Sequence, residues 1–230
     1  MAPEHDETRS RYAESLEAVK RGTLELGALV VENTRRATEA ILENQVDLAR
    51  RVVEADGEID ELYSGLERKV FEIMARQQPV AGDLRLLVSV TRILYEIERS
   101  GDLAVNMAKG LIHQDGYTLP EELHGLIARM GRGSIDLFTK GLDAFDTLDA
   151  AAGQRLDRED DVVDELVGDF YAAIARSSDQ LGFDVAVELS RVGRYMERIA
   201  DHAVNVAEHV TFIVTGSFPD DESVATRDEA

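Results

Sequence analysis

Residues 185–213 read VAVELSRVGRYMERIADHAVNVAEHVTFI. Apolar side chains fall at Val185, Leu189, Val192, Met196, Ile199, Ala203, Val206, Val210 and Ile213, in steps that alternate between four and three residues without a miss. At about 3.6 residues per turn these positions share one stripe of a helix, and a stripe of that length commits the helix to a bundle core. Residues 83–112 carry the same pattern at Leu86, Val90, Ile93, Ile97, Ser100, Ala104, Met107 and Leu111, with one polar seam position. No two-residue alternation of the strand type competes with it, so the fold class is all-α.

Working outward, the pattern predicts six long helices, at about 7–43, 46–77, 82–113, 120–146, 149–177 and 182–215. The breaks carry turn chemistry: the joint Glu43-Asn44-Gln45, the stretch from Gln78 through Pro79 and Gly82 to Asp83, and a linker from His113 to Pro120. All four prolines stand at breaks in the apolar pattern, where a missing N–H does no harm. Beyond Gly216 the apolar stripe stops. Residues 216–230, with Asp220, Asp221, Glu222, Asp228 and Glu229, are expected to form an acidic disordered tail.

The two clearest helices also match each other. VTRILYEIERSGDLAVNMA at 90–108 and LSRVGRYMERIADHAVNVA at 189–207 are identical at eight of nineteen positions, at an offset of 99. Unrelated pairing gives about one or two. Upstream, the 56–62 and 160–166 stretches and the pairs Leu26-Gly27 and Met130-Gly131 match at an offset of 104. The chain therefore reads as two tandem, pseudo-symmetric three-helix bundles, residues 1–116 and 117–215, followed by the tail.

Composition narrows the function. The 46 Asp and Glu outnumber the 25 Lys and Arg, a formal net charge of −21. A surface of that sign lacks the clustered positive charge that releases counterions from a phosphate backbone, so direct nucleic-acid binding is disfavoured, and anionic bilayers are poor partners for the same reason. The absence of cysteine removes disulfides, thiolate nucleophiles and sulfur-ligated metal sites. With no secretory signal and no spanning-length apolar run, the expectation is a cytoplasmic protein without membrane insertion.

The feature with chemical content is a carboxylate pair at i and i+4, present four times: Asp56/Asp60 and Glu98/Asp102 in the first unit, Asp160/Asp164 and Glu197/Asp201 in the second. Such a pair points from one helix face. Acidic composition alone supplies about nine pairs of this spacing, so a single one signifies nothing. These four differ in register. Ile59, Ile97, Val163 and Met196 lie on the apolar seams, and the next residue in each case is Asp60, Glu98, Asp164 or Glu197. Each pair thus flanks a buried seam on the same edge. Side-by-side packing of the second and third helices of a unit would gather four carboxylates into one patch.

Like charges so placed repel, and repel more when partly desolvated, so a cation is expected there. All-oxygen ligands suit Mg²⁺, Mn²⁺, Ca²⁺ or iron, with Asn106 and Asn205, one turn further on, as outer partners. The competing reading is a solvated acidic stripe balanced by Arg99 and Arg198. Duplication of the pairs with their register favours the cation site, since packing alone does not require paired carboxylates. The histidines lack ligand spacing: His5, His113, His124 and His209 read as surface residues, and His202 is one-sided because its counterpart is Leu103. No phosphate loop, catalytic triad or zinc-protease motif occurs. A carboxylate-bridged di-metal enzyme is the rival from another class. It needs Glu-x-x-His pairs, and the residues three after Glu98 and Glu197 are Gly101 and Ala200. A metal-free helical scaffold is the third reading.

At these residues the chain resembles the PhoU family of bacterial phosphate-signalling proteins. The likeness rests on Glu98-Arg-Ser-Gly-Asp102-Leu-Ala-Val-Asn106 and Glu197-Arg-Ile-Ala-Asp201-His-Ala-Val-Asn205, which resemble the family's two E-R-I-x-D-H-A-x-N segments, and on the 56–62 and 78–85 stretches. It spans roughly residues 10–215. The first segment departs from the pattern at Ser100, where Ile is usual, and at Leu103, where His often sits. The resemblance implies divalent or trivalent metal ions (Mg, Mn, Fe or Zn) on the carboxylate stripes of both units, and a homodimer is a further expectation. It also implies a non-enzymatic, cytoplasmic negative regulator of phosphate uptake and the phosphate-starvation response. Such an adaptor links the ATPase of the phosphate ABC importer to a sensor histidine kinase.

Overall fold

A computed structural model describes residues 2–218, with side chains from residue 10 onward. It contains α1 (Ala2–Leu42), α2 (Val46–Gln77), α3 (Ala81–His113), α4 (Glu121–Thr147), α5 (Ala152–Leu181) and α6 (Phe183–Thr215), with no strand among the described residues. Each expected helix is present. The largest single boundary difference is at the start of α1, five residues earlier than its apolar pattern, while α5 starts three residues later and runs four residues further than its pattern, up to Gly182 in the left-handed half of φ space (φ 75°).

The apolar stripes are buried as their spacing requires. On α6 every seam residue from Leu189 to Ile213 lies in the core, and only Val185, in the first turn, is half-exposed. On α3 the seam holds from Val90 to Leu111, including the fully enclosed Ser100, while Leu86 yields its place to Leu87. On α1, Leu26 and Val30 are fully buried, and Leu29 and Val31 pack against the same core. Most of that helix face is therefore used within the chain's own core.

Within each repeat the three helices pack mutually, and the repeats meet through α1 on α4 and α3 on α6. Four helices, α1, α3, α6 and α4, therefore form a ring, with α2 and α5 on opposite flanks. One hydrophobic core runs through both repeats. The α3–α6 pair is antiparallel: Arg85 at the start of α3 donates Nε to the carbonyl of Ile213 at the end of α6 (3.2 Å). The α1–α4 pair uses the duplicated glycines reciprocally. A Cβ on Gly27 would fall 2.5 Å from Leu142, and one on Gly131 would fall 2.6 Å from Thr38. Small residues at matched positions thus let these helices approach from both sides of the pseudo-twofold axis.

The chain turns back at the end of α6. Gly216 (φ 83°) caps the helix by donating its N–H to the Phe212 carbonyl, and Phe218 then stacks on Phe212 and meets the His209 ring edge-on. The acidic tail was expected from residue 216; residues 216–218 are ordered against α6, and residues 219–230 lie outside the described residues.

Candidate metal centres

The expected pairing of helices brings the carboxylates together. In the first repeat, α2 presents Asp56 and Asp60 beside Glu98 and Asp102 of α3; in the second, α5 presents Asp160 and Asp164 beside Glu197 and Asp201 of α6. All eight lie at the edges of helix grooves. Asp56 and Glu98 are half-buried and Asp60 and Asp102 exposed, whereas Asp160, Glu197 and Asp201 are half-buried and only Asp164 is exposed. The second patch is the drier one.

Mutual repulsion is evident in their proton affinities. Burial pushes the Asp56 carboxyl up, and Asp60 and Asp102 push it further, with Lys109 opposing. Glu98 is raised by burial and then by Asp102 and Asp60, against Arg99. In the second patch burial, Asp164, Asp201, Asp157 and Asp161 push Asp160 up to about 7. Asp164 and Asp201 are raised by burial and then by Glu197, with Arg194 opposing both. These groups are close enough to perturb one another across two helices, which desolvation and like charge make unfavourable without a cation.

A resident ion has a donor set to meet. Asp160 Oδ1 is shielded from solvent and has no hydrogen-bond partner, an unsatisfied acceptor of the kind a cation would take up. Among the described residues, however, no three His, Asp or Glu side chains stand in an arrangement that closes around a metal ion. The charges are gathered; the chelate is not formed in these rotamers. Carboxylate oxygens of the four residues in each patch fit a hard cation in type and number.

Arg194 went unnoticed in the sequence and is the chief internal counter-charge of the second patch. It pairs directly with Glu197 and lies near Asp164 and Asp201. Its counterpart in the first repeat is Tyr95, over whose ring Arg99 lies at 5.7 Å. The signal was local, an arginine three residues before Glu197. The two patches thus differ in built-in charge compensation.

Asn205 points elsewhere as well: its side-chain amide lies by the half-buried Glu96 across the α3–α6 seam and favours the ionised form of that carboxyl. Asn106 is exposed. His202, one-sided in the sequence, finds its partner in the other repeat. Ser100 donates Oγ–H to the Glu96 carbonyl (2.8 Å), so its oxygen accepts from His202 Nδ1 (2.9 Å), which assigns the Nδ1–H tautomer. Burial, with Arg198 and Arg99 nearby, pulls the His202 pKa down to about 4, so the ring is neutral and its 3.7 Å approach to Glu96 is no ion pair. His209 is likewise no surface residue. It is half-buried beneath Phe218, and burial and Arg92 lower its pKa.

Two copies of a family model, the PhoU domain, match residues 23–111 and 127–210. Among curated proteins, the chain is 34% identical over 217 residues to the phosphate-specific transport system accessory protein PhoU homolog 1 of Mycobacterium leprae, covering 94% of this chain and 98% of that one. It is 33% identical over 209 residues to the PhoU homolog of Synechocystis, covering 90% and 93%. The crystal structure of PhoU from Pseudomonas aeruginosa superposes on 90% of this chain and 100% of its own, with a TM-score of 0.83 and 28% identity. The phosphate transport system regulatory protein PhoU from Streptococcus pneumoniae shares the fold, with a TM-score of 0.81 at 23% identity. Two domain matches that take in most of both repeats, and relatives aligned nearly end to end, establish that the chain belongs to the PhoU family.

Proposed function

We propose that this chain is a metal-binding regulatory adaptor of phosphate transport, which restrains uptake by linking the importer's ATPase to a sensor histidine kinase. Membership in a family whose relatives are named accessory proteins of the phosphate-specific transport system supports the regulatory part. The single observation that supports the metal part is the duplicated patch of four mutually repelling carboxylates, one oxygen of which lacks any partner. Asp56, Asp60, Glu98 and Asp102 would hold an ion in the first repeat, and Asp160, Asp164, Glu197 and Asp201 in the second. A bound cation supplies positive charge that cancels this repulsion. The residues' own part is to tie α2 to α3 and α5 to α6 through that shared charge, so that metal binding adds to stability by mass action.

The reading is non-enzymatic. A di-metal oxidase needs histidine ligands three residues after its helix glutamates; Gly101 and Ala200 hold those places and are buried in the helix packing. The reading is tested by the metal content of chain purified without chelator and by the thermal shift of stripped chain on adding Mg²⁺, Mn²⁺, Zn²⁺ or Fe²⁺. The Asp102→Ala/Asp201→Ala variant is expected to keep its helical signal while losing bound metal and the shift. Unchanged metal content in that variant would remove these residues from the site. Turnover of an oxidisable or phosphorylated substrate by the metal-loaded chain would favour the enzyme reading instead.

A further inference from the structure

The two carboxylate patches share a register but close differently at one end. On α6, Arg194, Glu197 and Asp201 follow at steps of three and four, so all three share one helix face. Arg194 pairs with Glu197 and acts on Asp201 along the helix and on Asp164 across the groove. From α5, Tyr171 bounds the same place: its ring lies 3.5 Å from where a Cβ on Gly193 would stand, and both Arg194 and Glu197 act on its hydroxyl. Arg194 thus closes one end of the second patch with a unit positive charge among the carboxylates.

The first patch has no such member. The counterpart of Arg194 at the offset of 99 is Tyr95, and Glu98 meets Tyr63 of α2 at that end. Arg99 opposes Glu98 from over the Tyr95 ring but makes no ion pair among the described residues. The first patch has its cation at the other end, where Lys109 acts on Asp56. The residue at the matching position of α6 is Glu208, and the named influences on Asp160 include no cation. Asp160 is also the residue whose shielded Oδ1 lacks a partner. The two repeats therefore carry the same carboxylates with their built-in cations at opposite ends.

We propose that Arg194 is a built-in competitor for the metal ion of the second repeat: without metal it holds Glu197, and an ion that takes Glu197 as a ligand displaces it. This inference rests on the metal reading of the patches given above. Two cations on one carboxylate repel each other. The arginine is the one that leaves, because its side chain is 53% exposed against 22% for Glu197, and water takes over its guanidinium as the ion settles. The first repeat has nothing to expel from Glu98. The second site accordingly binds its ion less tightly than its four carboxylates alone dictate, and loading it releases a positive charge onto the α6 surface beside Tyr171.

Mn²⁺ alone is the probe, with free ion counted by its paramagnetic resonance signal and the fold of each variant checked by helical circular dichroism. In the full chain carrying Asp102→Ala, which leaves the second patch as the site, Arg194→Gln is expected to tighten Mn²⁺ binding by about tenfold, the effect of lifting a unit charge from beside a divalent ion in high dielectric. Glu197→Gln should weaken binding more in the Arg194→Gln chain than beside Arg194, because only there is Glu197 open to the ion. That non-additivity marks a competitor for one ligand; a merely nearby charge gives additive effects. Conversely, Tyr95→Arg in a chain carrying Asp201→Ala should weaken the first site by a like factor. An affinity unmoved by Arg194→Gln, or additive effects in the cycle, would overturn the competitor and leave the metal reading standing. No Mn²⁺ bound by any variant or by the intact chain, with no thermal shift from Mg²⁺, Mn²⁺, Zn²⁺ or Fe²⁺, would overturn both.

Discussion

Asp160 concentrates the electrostatic cost of the second patch in one side chain. Its folded-state pKa of about 7 stands above the ordinary 3.8, so between those values the folded chain keeps a proton that the unfolded chain has released. Its contribution is therefore fully present below 3.8 and is lost as pH rises to about 7. An amide cannot ionise. Metal-free Asp160→Asn is expected to melt higher than the parent at pH 8 and to show a shallower fall in stability across that window. Denaturant titrations at several pH values check it; a lower midpoint at pH 8 would contradict it. Ser100 offers a second residue-scale test. Ser100→Ala leaves the buried Nδ1–H of His202 without its acceptor, at a cost of about 1–3 kcal/mol, and Ser100→Ala/His202→Leu should recover part of that loss. The double-mutant cycle reads the coupling. Neither partner was legible in the sequence as a pair, because they stand 102 residues apart and periodicity speaks only of neighbours along one helix.

Helices and their crossings are the next scale. Spacing, turn residues and proline placement were enough to place all six helices, because each criterion is local and each helix has a long apolar stripe. How closely two helices approach depends on what the opposite one presents. Gly141 of α4 meets α6 so closely that a Cβ would lie 2.9 Å from the Ala203 carbonyl oxygen, a backbone atom that cannot swing aside. Gly141→Ala is expected to destabilise the chain by about 1–3 kcal/mol through overpacking, against a gain of about 1 kcal/mol in helix propensity. Gly168 of α5 has open space at the same test position, so Gly168→Ala should stabilise by about 0.5–1 kcal/mol. Urea unfolding of both variants separates packing from propensity. Two stabilised variants would show the α4–α6 crossing to be looser than these distances.

At the scale of the molecule, the duplicated sequence suggested two units, yet the packing joins them through four helices and one core. The whole chain is accordingly expected to unfold in one cooperative transition, with helical circular dichroism and tyrosine fluorescence falling together. Two resolved transitions would restore independent bundles. The sequence by itself determined the helices, the duplication and the positions of the eight carboxylates, since these follow from periodicity and from residue identity in register. Tertiary structure alone decided that α1 spends its apolar face inside and that His202 is buried on Ser100. It also decided that the chain end turns back onto His209. The first two depend on which faces of distant helices meet, and the last on where the chain runs after its Gly216 cap. A helical repeat fixes which residues share a face and leaves open which face of another helix it will meet.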